Sequence, residues 1–264
     1  FGAVDWMAEV YVNNVLIGEH KGGYDPFSFD VTPALKKSGK QTLKVKVQDA
    51  TDNSFQPRGK QCIINAGIWY TPVTGIWQTV WMESVTNDSI EDIKITPSLT
   101  EVLIEIKGGS PLKTVVFDGR EIPVLDNSVK IAPENPIEWT PENPKLYDFE
   151  IISGEDRVKS YFALRTVSVD GNSILLNGKP YFFNGLLDQG YFSDGIFLPA
   201  TPAGFEYDIL TMKKLGFNML RKHIKIEPML FYYFCDKYGM VVFQDFVNSG
   251  KYNFIIDTAL PTIG

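Results

Sequence analysis

The chain changes rhythm near residue 168, and that change limits what it can fold into. Before it, apolar and polar residues alternate in short runs parted by Gly, Pro and Asn, as in residues 41–47 (QTLKVKV) and 76–83 (IWQTVWME). A period of two sends successive side chains to opposite faces of a strand, which suits antiparallel sheets with one face buried. After residue 168, wholly apolar runs such as Met240-Val241-Val242-Phe243 alternate with stretches of helical spacing. Continuous apolar strands joined by helices belong to a parallel sheet covered on its faces. One sheet cannot serve both patterns, so the chain is read as β-sandwich material followed by an α/β segment.

Three stretches follow from this reading. Residues 1–86 carry β-rich runs at 7–17, turning at Asn13-Asn14, and further runs at 26–31, 41–47 and 76–83, as in a jelly-roll β-sandwich. Residues 87–167 hold short strands expected at 91–95, 102–106, 114–117, 129–131 and 146–152, spaced as in an immunoglobulin-like β-sandwich. Residues 168–264 read as strand 181–185, helix 202–215, strand 218–221, helix 228–238 and strand 240–243. Phe205, Ile209, Met212 and Leu215 share one face of the first helix, Gly216 closes it, and Gly239 closes the second. Three such units begin a (β/α)8 barrel, which needs about 250 residues. The fold class is thus mainly β: jelly roll, immunoglobulin-like sandwich, then the first three or so units of a barrel.

Composition excludes several functions. The chain has 264 residues, 25 Lys plus Arg against 32 Asp plus Glu, and a net charge of −7. With no basic block, nucleic acid is not the expected partner. No apolar run reaches the roughly 18 residues of a membrane span. Only His20 and His223 are present, and Cys62 and Cys235 are far apart, so zinc and iron–sulfur sites lack ligands and nothing places the two thiols together. There is no G-x-S-x-G, no P-loop and no G-x-G-x-x-G, and no organic cofactor or metal is expected. Trp6, Trp69, Trp77 and Trp81 cluster in the first third, where packing is the leading expectation and a sugar-stacking platform the alternative.

Several motifs together resemble glycoside hydrolase family 2, the family of β-galactosidases, β-glucuronidases and β-mannosidases. Thr74-Gly75-Ile76-Trp77-Gln78-Thr79-Val80-Trp81-Met82-Glu83 is similar to the last strand of that family's sugar-binding-type jelly roll. Leu164-Arg165 and Leu175-Leu176-Asn177-Gly178-Lys179-Pro180 match its barrel entry. Asn218-Met219-Leu220-Arg221, running on to Cys235-Asp236-Lys237-Tyr238-Gly239, matches its second-strand region. Two departures bear on the sugar. Many members carry Arg-x-x-His-Tyr-Pro, whereas Arg221-Lys222-His223-Ile224-Lys225 has its histidine one place early and no Tyr-Pro. Phe243-Gln244-Asp245-Phe246 resembles the mannosidase-like branch more than the galactosidases.

The resemblance implies a retaining exo-β-glycosidase acting on a carbohydrate β-glycoside. A secreted or periplasmic setting follows only by analogy, and a homo-oligomer is compatible. Such enzymes use two carboxyl groups about 5–5.5 Å apart. The family's acid/base glutamate directly follows an asparagine, and this chain contains no Asn-Glu pair. Both catalytic glutamates are therefore expected beyond residue 264, the natural N-terminus upstream of Phe1, and this chain alone is expected to be inactive. Glu206 falls inside a helix, and Glu227, just before Pro228, is expected to meet the positive end of the second helix. Substrate-binding candidates are the residues closing the first three barrel strands: Asp188 and Gln189, then Arg221, Lys222 and His223, then Asp245. They could equally hold one another in register, as buried Arg–Asp networks do. The rival reading of the whole chain is a non-catalytic carbohydrate-binding module.

Overall fold

The computed structural model describes residues 1–248 and 250. Its first part centres on Met7–Val12, paired antiparallel with Val15–Lys21 on one side and Leu43–Gln48 on the other. Asn13 and Asn14 sit at φ 50° and 66°, the left-handed pair that a two-residue hairpin of this hand demands. Ala8, Val10 and Val12 are buried while the residues between them are not, as period two predicts.

Two expected strands are shorter or absent. Residues 26–31 form no ladder; Phe27 instead stacks its ring on Phe1 and His20. Of the run 76–83 only Ile76 enters a ladder, in the short strand Gly75–Ile76 paired with Val4–Asp5, and Val80, Trp81 and Met82 lie exposed. Beyond that pair the same neighbouring segment makes only single bonds, Trp77 N to the Ala3 carbonyl at 3.4 Å and Gly2 N to the Thr79 carbonyl at 2.8 Å, and the ladder does not extend.

The second part is a sandwich of two antiparallel sheets. One has the order Ser128–Ile131, Val102–Gly108, Ile90–Pro97; the other runs Asp156–Phe162, Tyr147–Ser153, Lys113–Phe117, Arg120–Pro123. Val102, Ile104 and Ile131 of the first meet Val115, Phe117, Ile151 and Phe162 of the second in one core. Residues 120–123 and 156–162 were not anticipated as strands. Asp118-Gly119 joins the first of these to its neighbour, with φ 48° and 70°. Gly119→Ala is expected to cost about 1 kcal/mol of stability, because only the left-handed backbone, and no steric neighbour, opposes the methyl group. Thermal denaturation would check it.

A three-stranded antiparallel sheet, Val167–Asp170, Ser173–Leu176 and Lys179–Pro180, leads into the α/β part. There Gly185–Asp188, Met219–Lys222 and Val241–Gln244 run parallel in that order. The first of these lies C-terminal to the run 181–185 expected from the sequence. Helix α1 (Ala203–Lys214) follows the first strand and helix α2 (Met229–Tyr238) the second. Phe205 and Ile209 of α1 pack with Phe231 and Cys235 of α2 on Leu220. Leu215 lies past the end of α1 and is exposed, so it drops off the face assigned to it. Gly239 closes α2 at φ 75° against the backbone of Pro141, where a Cβ would collide. Residue 249 and residues 251–264, which the sequence reading gave to this segment, lie outside the described residues. Among the described residues no helix is long and apolar enough to cross a membrane. Both thiols are free: Cys62 lies 2.8 Å from an Asp52 carboxylate oxygen, and Cys235 is buried in the helical core.

Candidate functional site

The register of the parallel sheet divides the six candidate residues into two groups. Asp188, Lys222 and Gln244 are aligned across the three strands, one position after Leu187, Arg221 and Phe243. Neighbouring strand positions point to opposite faces. Leu186, Leu220 and Val242, two positions before the first row, pack against the helices, so Asp188 and Lys222 face α2. Lys222 Nζ indeed lies 4.3 Å from the centre of the Phe231 ring. Arg221 points the other way, with 55% of its side chain exposed.

On that open side the candidates pair. Arg221 Nε donates to Asp245 Oδ1 at 3.1 Å, and His223 Nδ1 lies 2.9 Å from Gln189 Oε1. Burial, and then the positive charge of Lys60, hold the His223 pKa below its ordinary value. The ring is therefore neutral at pH 7. With Nδ1 protonated toward Gln189, Nε2 carries a lone pair able to accept a hydroxyl proton. Lys60 belongs to the first part of the chain and escaped the sequence reading, because nothing local marks a surface lysine as the neighbour of a residue 163 positions later.

On the helix side lies a second constellation. Lys222 has no exposed side-chain surface and sits 2.7 Å from Asp188 Oδ2 and 2.8 Å from Glu227 Oε1. Lys225 Nζ reaches the same Glu227 oxygen at 2.9 Å. The other Asp188 oxygen accepts from the Gly190 amide at 2.9 Å. Burial pulls hardest on both lysines, toward neutrality. For Lys222 the two carboxylates outweigh it and the pKa rises; for Lys225, with less compensation, it falls to about 8.

Glu227 is thus not the helix-end residue expected from its place before Pro228. Helix α2 takes Pro228 as its N-cap with no side-chain cap bond, while Glu227 turns inward to two ammonium groups. The left-handed Ile224, at φ 46°, bends the chain between Lys222 and Lys225 so that both meet one carboxylate. The clue in the sequence was three charges, Lys222, Lys225 and Glu227, the last two interleaved with Ile224 and Ile226, since charges set among apolar residues are buried only as pairs.

The first part of the chain closes over these strand ends. Tyr70 stacks on Tyr191 at 4.2 Å, Trp77 packs on Phe197 at 4.7 Å, and the Arg58 amide donates to the Asn248 carbonyl at 3.1 Å. A side chain at Gly59 would collide with the Ile224 carbonyl. Trp77 also donates from Nε1 to Gly23 O at 2.7 Å, so its ring serves packing. Behind the sheet, Trp139 is 1% exposed and donates to the Asp236 carbonyl, while Arg165 stacks on it and pairs with the Asp236 carboxylate at 2.6 Å. Phe231 is buried among the helices, as a packing role for the aromatic stripe of α2 requires.

No family profile matches the chain. It is 28% identical over 277 residues to a β-galactosidase of Thermoanaerobacter pseudethanolicus, covering 93% of this chain and 36% of that protein. It is 26% identical over 275 residues to the β-galactosidase BoGH2A of Bacteroides ovatus, covering 93% of this chain and 31% of that one. Among solved structures, a β-glucuronidase from Ruminococcus gnavus superposes with a TM-score of 0.76 at 21% identity, over 94% of this chain and 46% of that one. The chain spans about a third of the length of these curated relatives. The resemblance to glycoside hydrolase family 2 drawn from the motifs stands, and the mainly β fold is shared with solved β-glucuronidases.

Proposed function

We propose that this chain supplies the two β-sandwich domains, near residues 1–86 and 87–167, and the opening strands of the (β/α)8 barrel, from about residue 168, of a retaining exo-β-glycosidase. The observation that carries the reading is the meeting of Arg221, Asp245, His223 and Gln189 on one open face at the C-terminal ends of three parallel strands. That end of such a sheet is where ligands bind. A guanidinium, a carboxylate, a neutral imidazole and an amide offer donors and acceptors matched to a ring of sugar hydroxyls. Asp188 and Lys222 support this face from behind.

The carboxylates here do not form the acid/base pair of glycoside hydrolysis. Asp245 is engaged by Arg221 on the open face, whereas Asp188 and Glu227 are committed to lysines on the helix face. Two carboxylates on opposite faces cannot flank one glycosidic bond. The chain's part is to bind and orient the sugar, which raises rate by holding the reacting centre in place.

Arg221→Ala tests this in the active enzyme that contains the chain, with 4-nitrophenyl β-galactoside, β-glucuronide and β-mannoside as substrates. Losing a hydrogen bond from a charged donor is worth about 1.5–3 kcal/mol, so kcat/KM on the preferred glycoside should fall by roughly 10- to 150-fold. Folding should be kept, since the side chain is more than half exposed. Unchanged kinetics would remove Arg221 from the pocket.

A further inference from the structure

Lys225 plays no part in the open face, yet it is built into the molecule more firmly than any residue there. Only 2% of it is exposed. Its ammonium donates to the Gly190 carbonyl at 2.6 Å and to the Phe197 carbonyl, and pairs with Glu227. The Phe197 ring lies 4.3 Å away, and Trp77, Tyr191 and Phe192 complete an aromatic enclosure at 5.7 to 5.9 Å. Rings turned toward an ammonium from several sides stabilise it as a cation. Three pieces of the chain therefore meet at one atom: the loop after the first parallel strand, the loop after the second, and Trp77 of the first β part.

We propose that Lys225 is a positioning residue, clamping the loop that follows the first parallel strand so that Gln189 and His223 are presented to the ligand in a fixed geometry. Gly190 follows Gln189 and is held on both sides: Lys225 takes its carbonyl, and its amide, part of the peptide joined to Gln189, donates to Asp188 Oδ1 at 2.9 Å, so the peptide next to the Gln189 side chain has little freedom to turn. Phe197, at the other end of the held loop, packs on Trp77 and Tyr24, so the same lysine makes the loop's shape depend on the docked β part. Glycine at 190 belongs to the same device: it sits at φ 70°, and a side chain there would strike both Glu227 and Lys225. This inference rests on reading the open face as a sugar pocket, but its first test does not.

The test compares Lys225→Met with Lys113→Met, which removes another buried lysine, one bonded to Asn127 in the second sandwich far from the clamp. Amide hydrogen exchange on the chain is the first measurement. Lys225→Met should speed exchange across residues 190–198 by about tenfold or more, the expected loss for charge-assisted bonds to two carbonyls, while Lys113→Met leaves that segment unchanged. In the active enzyme, Lys225→Met should raise KM for the preferred 4-nitrophenyl glycoside by about tenfold with kcat within a factor of two, a split that general destabilisation does not produce. Should Lys225→Met not fold, the double variant Lys225→Met, Glu227→Gln removes the charge imbalance and carries the same two measurements. Unaltered exchange at 190–198 overturns the clamp. Faster exchange with an unaltered KM overturns the positioning role. If the unmodified enzyme hydrolyses none of the three glycosides, the glycosidase reading fails while the exchange result still decides the clamp.

Discussion

Glu227→Ala is expected to destabilise the protein by about 3–5 kcal/mol, the cost of breaking a buried pair and leaving charge without its partner. One carboxylate oxygen is shared by Lys222 and Lys225, at 2.8 and 2.9 Å, and none of the three side chains is more than 2% exposed. After the substitution Lys222 keeps Asp188, but Lys225 is left with two carbonyls and no counter-charge. A helix-end role for Glu227 predicts a far smaller loss, near 1 kcal/mol. Urea denaturation of the two proteins, followed by intrinsic fluorescence, separates these outcomes. A loss near the smaller figure would return Glu227 to the end of α2. Lys225→Met added to Glu227→Ala should recover part of the deficit, because an apolar group fills the aromatic enclosure without a charge to satisfy.

The second large effect is a dependence on pH set by Asp5. Its carboxyl is 2% exposed, and burial, reinforced by the negative charge of Asp49 and opposed by a bond from Gln61, raises its pKa from 3.8 to about 7. Gln61 Nε2 donates to Oδ2 at 2.9 Å, while Oδ1 is buried without a hydrogen-bond partner among the described residues. The folded protein therefore holds a proton on Asp5 that the unfolded chain has already released. Stability from this group is full below about pH 4, falls as pH rises toward 7, and is flat above. Integrated over that window, the loss is up to about 4 kcal/mol. Asp5→Asn, which keeps an acceptor for Gln61 and cannot ionise, should stabilise the protein at pH 8 and leave pH 4 nearly unchanged. Equal pH profiles for the two proteins would show that Asp5 does not titrate with folding.

Much of the architecture was legible because it depends on local periodicity. The alternation in residues 41–47 became an edge of the first sheet, the Asn13-Asn14 turn formed as a two-residue hairpin, and the helix–strand rhythm after residue 168 became a parallel sheet with two helices. The run 76–83 shows where periodicity stops being sufficient. Its pattern suits a strand, yet Ile76 is its one ladder position, and the rest of its backbone meets the neighbouring segment through single bonds to Gly2 and Ala3, because a ladder is a property of two segments.

The candidate site divides along the same line. That Asp188, Gln189, Arg221, Lys222, His223 and Asp245 close three parallel strands could be read from strand ends and motif spacing, and all six do converge there. Which of them lie on the open face could not, since residues one apart differ by a full reversal of direction and only the packing of α1 and α2 says which face is covered. Glu227 was misread because its partners lie upstream, across a bend at Ile224 that no local preference announces. The aromatic enclosure of Lys225 brings Trp77 to Tyr191 and Phe197, which lie more than a hundred residues further along the chain. By itself the sequence determined the order of sheets, turns and helices and the family they resemble, because those follow from forces between near neighbours. The tertiary structure alone decided which charges are buried together and which remain open to solvent, because burial and pairing exist only once distant segments have met.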